Sequence, residues 1–466
     1  MTALEHATTP LEDTVATFRR WLYMDDADSL LATLGTIAAN RLDGDPVWLL
    51  LVGPPGGGKS EILNALSGLP YIRTAGTLTE ASLLSGTPKK DHGQAARGGL
   101  LMEIGEFGII VAKDFGSILS MNRDAQGSTL AALREVYDGK WTRLVGTDGG
   151  RSLHWEGKVG FVGGVTPTID RHHAVMGAMG ERFMLFRIPE VDADIQARRA
   201  LSHAGKEKRM RKELADAVAS VIGDQAMIAR EPDDDEISQL VALGTLVVRA
   251  RSAVERDNYN REILLVPGPE APTRFTIMLK RLLAGMYAIG MEKSDAWRVL
   301  AKVALDSIPA LRLAIMTTLD DYNGQLSTND LAAAVRHPST TTRRACEDLV
   351  AHGLIDKTRQ GEGKAHLWEL TAFSKERLQT ASDGLPKTTF DKTGKLVAVE
   401  TEPKQEGLPE MSSSAATFPE NPIGEPIKAF GNQVPDITGT LASSTNRNNN
   451  GEGHERPPFD EGQASE

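Results

Sequence analysis

At 466 residues the chain has room for about three domains of ordinary size, and its 40% hydrophobic and 25% charged residues fit a globular protein with a sizeable core. A single cysteine, Cys346, excludes an internal disulfide framework and a zinc cluster built on thiolates, and no apolar run is long enough to span a bilayer. The formal net charge of −11, taken whole, argues against a nucleic-acid partner. The first residues, MTALEHATTPLEDT, include acidic side chains and lack an apolar segment, so they do not read as a secretory signal and the expected compartment is the cytoplasm.

Residues 1–45 form an N-terminal segment in which 10–43 read as helices, with Phe18, Trp21 and Leu22 on one face and Leu30, Leu31, Leu34 and Ile37 on the next. The run PVWLLLVG that follows has the length and apolarity of a buried strand. Across 46–189, short apolar runs (GIIVAKDF, KVGFVGGV, RFMLFRIP) alternate with helical patterns such as GSTLAALREVYDG. This alternation predicts an α/β layer with a largely parallel sheet. Residues 190–325 read as a wholly helical lid or linker, 326–378 as a separate small unit, and 379–466 as a disordered tail rich in Pro, Ser, Asn, Gly and Glu. From Ala381 onward there are 7 basic and 14 acidic residues, so the tail holds −7 of the charge and the preceding 380 residues only −4.

The strongest motif is Gly53-Pro54-Pro55-Gly56-Gly57-Gly58-Lys59-Ser60, a G-x-x-x-x-G-K-[ST] loop between a predicted strand and a predicted helix. Glycines let successive backbone N–H groups turn inward around phosphate oxygens, and the helix start adds the positive end of its dipole. Lys59 would reach the β- and γ-phosphates of ATP, and Ser60 would ligate Mg²⁺. A metal held this way needs a further carboxylate, and Asp114, ending the strand GIIVAKD, is the candidate. Phe115 follows it, so either the residue that activates the attacking water comes from elsewhere or hydrolysis is slow: Glu135 is a candidate, with a solvated helix position as the alternative. Thr166, at the tip of the strand KVGFVGGV, either orients the γ-phosphate or caps the strand. Arg182, in GERF, either reaches a neighbouring subunit's phosphate or forms a salt bridge. Lys89, Lys90 and Arg97 suit either strand-translocating contacts or an ordinary surface loop.

Residues 327–371 read as a winged helix-turn-helix. The helix DLAAAVR is followed, after Pro338, by STTTRRACEDLVAHGL, whose first turns carry Thr340, Thr341, Arg343 and Arg344 where a recognition helix meets a groove. Two strands, LIDKTRQ and KAHLWEL, form a wing with Lys357, Arg359, Lys364 and His366, a cluster suited to phosphates. Protein contacts or lid packing are the alternative use of such a unit. Cys346 falls on the buried face of the second helix, and His172-His173 lacks a third ligand.

The motifs GDPVWLLLVGPPGGGKSE, LTEASLLSG, GGLL, KDF, LREVYDG, GVTP and GERF resemble the AAA+-type P-loop ATPases of phages and integrated elements, often labelled phage/plasmid primase–helicase-like. Their order is also similar to that of the minichromosome-maintenance and MoxR groups. The resemblance is specific over roughly 15–190 and looser to about 375. It implies an AAA+-like P-loop NTPase core with Lys59 and Ser60 as the phosphate-loop pair, Asp114 as the metal-holding Asp, Thr166 as the first sensor, Arg182 as an arginine finger and Arg274 as a second sensor. It further implies a ring-forming homo-oligomer. The function expected is a Mg²⁺-dependent ATPase acting on DNA, as a phage or mobile-element helicase or replication factor. An ATP-gated winged-helix transcription regulator and a MoxR-like remodelling ATPase are the alternatives.

Overall fold

The computed structural model describes residues 8–85, 99–145, 151–172, 182–223, 227–257, 259–359, 361, 365–381, 388–390 and 396–399. All of them belong to the first of the two units into which the chain divides, Met1–Pro403. Lys89, Lys90, Arg97 and Lys364 lie outside the described residues.

The strand predicted from PVWLLLVG is β1 (Trp48–Val52), and every one of its residues is buried. A strand apolar on both faces must sit inside a sheet covered on both sides. The other strands of this region are β2 (Ile72–Ala75), β3 (Phe107–Ala112), the hairpin β4 (Lys140–Val145) and β5 (Arg151–Glu156), β6 (Lys158–Val165) and β7 (Phe183–Arg187). Five of them form one parallel sheet in the order β2-β3-β6-β1-β7. β4 and β5 pair with each other as a separate antiparallel ladder. Strands on both sides of the β4–β5 hairpin in sequence thus build a single layer, with the phosphate loop leaving β1 at its C-terminal edge.

The N-terminal segment is part of this core. The helix Pro10–Trp21 starts in a capping box, with Thr9 and Glu12 bonded reciprocally, and buries Leu11, Thr14, Phe18 and Trp21. The helix Asp28–Arg41 is buried along nearly its whole length. Its Asn40 side chain accepts from Val47 N–H (2.9 Å) and donates to Val47 C=O (2.8 Å), tying the helix to the entry of β1. Gly160 on β6 makes room for it, since an added Cβ would lie 2.6 Å from the Asn40 carboxamide carbon.

The region 190–325 is more than the single helical body expected. Helix Glu207–Ile222 packs on the phosphate-loop helix, Lys59–Ala65, and on Pro10–Trp21. Helix Thr273–Ala288 crosses Asp28–Arg41 so closely that a Cβ on Gly285 would sit 2.1 Å from the Gly35 carbonyl oxygen. Helix Lys293–Asp306 covers the edge strand β7: Ser307 Oγ and Asp306 Oδ2 accept from the β7 amides of Leu185 (3.0 Å) and Arg187 (2.7 Å). A short ladder, Glu255–Arg256 with Ile263–Leu265, interrupts the helices.

In the small C-terminal unit, Leu326–Ser327, His366–Leu370 and Ile355–Arg359 make a three-stranded antiparallel sheet in that spatial order. Helices Thr328–Ala334 and Ser339–Ala351 lie against it. Helix Ala310–Tyr322, placed by sequence with the lid, packs on Ser339–Ala351 and on the sheet as well as on Lys293–Asp306. At the other end, order continues past 379: helix Ala372–Ala381 is followed by a ladder of Thr388–Phe390 with Leu396–Val399. Branched and aromatic residues in those short runs favour strand geometry within a polar composition.

Candidate nucleotide site and cationic face

The phosphate loop leaves β1 at Gly53, whose N–H donates to Val165 C=O (3.1 Å). Gly56 (φ 78°) and Gly58 (φ 81°) occupy the left-handed region, which side-chain-bearing residues rarely enter. Neither has an atom within 4 Å of where a Cβ would stand, so it is the backbone conformation and not crowding that calls for glycine at both positions. Lys59 folds back over the loop and donates to Gly53 C=O (2.6 Å) and Pro54 C=O (2.7 Å). Burial holds its ammonium below the ordinary lysine pKa, and the nearby Asp114 carboxylate opposes that shift. A buried cation resting on two loop carbonyls is a ready partner for an incoming polyphosphate.

Asp114 lies just beyond β3, exposed, with Oδ1 accepting from Gly116 N–H (2.9 Å). Ser60 is exposed in the first turn of the loop helix. Ser60 and Asp114 therefore supply a hydroxyl and a carboxylate at the same sheet edge, a donor set suited to a Mg²⁺ whose remaining ligands are water and phosphate oxygens. Thr166 sits at the tip of β6, with its hydroxyl 2.6 Å from that of Thr168. Beside the loop opens a cleft of about 240 Å³ bounded by Leu22, Tyr23, Met24, Ile62, Ile188 and Pro189. Ile62 belongs to the loop helix itself, whereas Leu22–Met24 and Ile188–Pro189 come from remote segments whose place beside the loop no motif announces. Their apolar side chains, with Asp25, Asp26 and Glu190 also on the lining, offer a surface for a nucleobase next to the phosphate cradle.

Phe115 turns away from this site. It is fully buried, with its ring 5.0 Å from that of Phe183 and 5.9 Å from that of Phe161. Three other sequence-selected residues are not brought to the loop. Glu135 is exposed in the last turn of the helix Arg123–Tyr137, and the neighbouring Tyr137 ring stacks edge-on against Trp48 (5.1 Å) at the start of β1. The loop begins at the other end of that strand, about 16 Å away at the usual rise per residue, so Glu135 does not reach a water at its own chain's loop. Arg182 precedes β7 at the same far edge. It is 7% exposed, pairs with Asp138 (2.8 Å) and lies over the Tyr137 ring (5.3 Å). Burial, with Asp45 nearby, pushes the Tyr137 phenol up to about 12. Arg274 is bonded to Glu270 (3.0 Å), two turns before Arg281, whose guanidinium meets the carbonyls of Ala39 and Leu42 at the end of Asp28–Arg41 that leads into β1. That again is the edge opposite the loop, so a second-sensor role at its own chain's nucleotide does not fit.

In the small unit, Thr340, Thr341 and Arg343 are exposed on the first turns of Ser339–Ala351, and Arg344 is half-buried. Lys357 and Arg359 are exposed on the strand Ile355–Arg359, with Lys357 Nζ 5.5 Å from the Trp368 ring centre. Arg359 is the register partner of His366 and Lys357 that of Trp368, so these side chains share one ladder; desolvation and then Lys357, Arg359 and Arg343 hold the His366 pKa below the ordinary imidazole value, with Glu347 opposing them. Cys346 lies beneath, fully buried, and desolvation pushes its thiol up to about 12, the behaviour of an inert core residue. Among the described residues there is no group of three His, Cys, Asp or Glu able to hold a metal, and no helix long and apolar enough to cross a membrane.

No family model matches the chain, and no curated protein matches it. Among solved structures it is similar to the apo A form of the NrS-1 C-terminal region, at 12% identity over 80% of this chain and 79% of that one, with a TM-score of 0.21. It is similar also to the ADP complex of S. cerevisiae Hsp104 (14% identity, 82% and 55% covered, TM-score 0.24), of whose chain it spans about half. A third likeness is to NtrX from Brucella abortus in complex with ADP (14% identity, 73% and 72% covered, TM-score 0.22). Likeness at this level says nothing of substrate or partner. The fold is α/β, a five-stranded parallel P-loop core with many helices, on the strength of its own strand order and loop geometry.

Proposed function

We propose that the protein is an AAA+-like, Mg²⁺-dependent ATPase that acts on DNA through its C-terminal unit, which we read as a winged helix. The observation that carries the reading is the presence in one chain of a preformed phosphate cradle and of a separate face where Arg343, Lys357 and Arg359 converge on His366. Loop amides and Lys59 bind the ATP phosphates, and the apolar cleft of Leu22, Ile62 and Ile188 holds the base and excludes water from one side. Ser60 and Asp114 would hold Mg²⁺, and the bound ion would neutralise phosphate charge. Thr166 orients the terminal phosphate by its hydroxyl. Arg182 stays on Asp138 in the single chain, and its use as an arginine finger belongs to an assembled ring in which that pair is exchanged for a neighbour's phosphate.

The DNA half is tested by binding at several salt concentrations. Arg343→Ala and Lys357→Ala are each expected to weaken duplex binding and to lower the slope of log K against log [salt] by about one. Binding that is insensitive to salt and to both substitutions contradicts it and favours a protein partner for the same unit. A second reading, in which ATP gates DNA binding with slow turnover, is favoured by the buried Phe115, which stands directly after Asp114 in place of a carboxylate.

A further inference from the structure

β6 and β7 flank β1, and Val165 and Arg187 are both register partners of Val52, the residue before the phosphate loop. Past these strand ends the chain stays stitched together, with Ile188 N–H donating to Val52 C=O (2.8 Å). Arg187 then spans to Asp170 through both terminal nitrogens (2.8 and 2.9 Å). Asp170 lies four residues after Thr166, in the short turn Pro167–His172. The pair therefore brackets the root of the loop from both sides.

Its other contacts run to the C-terminal unit. Asp170 Oδ1 accepts from Ala310 N–H (3.3 Å), the first amide of helix Ala310–Tyr322, whose own Pro309 offers no side-chain cap. A carboxylate from the turn after β6 thus supplies the negative charge that a helix start favours. Arg187 donates to the carbonyls of Asp306 (3.0 Å) and Ile308 (3.2 Å), in the connection leading into that helix. One bidentate ion pair, only 17% and 29% exposed, joins the turn after Thr166, the end of β7 and the first helix of the small unit. From that helix the path continues to the cationic face. Arg312, on Ala310–Tyr322, bonds Asp348 on Ser339–Ala351 (2.8 Å), the helix that carries Arg343.

We propose that Asp170 and Arg187 are positioning residues that couple the nucleotide site to the DNA-binding unit: bound nucleotide shifts the Thr166–Asp170 turn against β7, alters the capping of Ala310–Tyr322 and so changes DNA affinity. The inference rests on the function proposed above. Linkage makes it reciprocal, so DNA changes nucleotide affinity by the same factor.

The test is DNA affinity, by fluorescence anisotropy, measured without nucleotide, with ADP and with a non-hydrolysable ATP analogue, for wild type, Asp170→Ala and Arg187→Gln. The wild-type affinities should differ between nucleotide states by at least about fivefold. In both variants the ratio should fall to about one, while nucleotide-free DNA affinity stays within about twofold of wild type. Folded variants that keep the wild-type ratio overturn the proposal. Should the variants not fold, amide hydrogen exchange on the wild type decides: protection at Ala310 and Arg187 should differ between ADP and the ATP analogue, and identical exchange overturns the coupling. Wild type that binds both ligands with no mutual effect removes the joint and leaves the proposed function standing. Absence of DNA binding in every state removes the function, and the joint with it.

Discussion

Lys59 and Asp114 meet at one sheet edge because each follows a strand that ends there, and at Phe115 the backbone has already turned into the helical region (φ −71°, ψ −21°) ahead of the short helix Gly116–Leu119, with its ring buried beneath the sheet edge. Its ring is enclosed by Phe161 and Phe183. Phe115→Ala is expected to cost about 3–5 kcal/mol of stability in denaturant unfolding. Phe115→Glu is expected to unfold the protein or leave turnover low, because the carboxylate would be buried without a partner; faster ATP turnover in that variant would contradict the placement. His366 gives a pH dependence. Its free-state pKa is held below the ordinary value partly by Lys357, Arg359 and Arg343, and DNA phosphates would neutralise those cations and raise it. The complex then binds more protons than the free protein, so DNA affinity should rise as pH falls through the region below the complex's pKa and level off beneath the free-state pKa. The gain is up to about tenfold per unit of difference, and His366→Gln should flatten the profile.

Between elements, the closest approach is the crossing of Asp28–Arg41 with Thr273–Ala288. Gly285→Ala would drive a methyl group into the Gly35 carbonyl and should destabilise the protein by about 1–3 kcal/mol, read as a lower denaturation midpoint. The strands were legible in the sequence because β1 and β6 are continuous apolar runs, and the loop because its motif stands between a strand and a helix. Helix Ala310–Tyr322 packs on Ser339–Ala351, a neighbour not legible in the sequence, since an amphipathic pattern shows that a face is buried without showing against what. Glu135 takes the solvated helix position that was one of its two readings, and both it and Arg274 lie at the edge opposite the loop. Their motif-like surroundings carry no information about which end of the sheet they reach, and that depends on the direction of the helices bearing them. The cleft of Leu22–Met24 and Ile188–Pro189 was illegible because only folding brings those segments to the loop.

At the scale of the molecule, the net charge of −11 is a poor guide to partners, because −7 of it falls after residue 380. Lys357 and Arg359 are exposed on one strand of the small unit, with Arg343, itself paired to Glu347, on the adjoining helix, while Arg209, Arg211 and Lys212 of the helix Glu207–Ile222 pair with Glu213, Glu61 and Asp216. The Asp170–Arg187 pair joins the strand ends beside the phosphate loop to helix Ala310–Tyr322 of the small unit, and the proposed coupling makes ATP turnover respond to a second ligand. The measurement that tests it most directly is steady-state ATP turnover by wild type and Lys59→Ala, with and without DNA. The account predicts Mg²⁺-dependent turnover that DNA alters in the wild type and that Lys59→Ala abolishes. Wild-type turnover in Lys59→Ala, or a wild-type rate indifferent to DNA at saturating concentration, would contradict it.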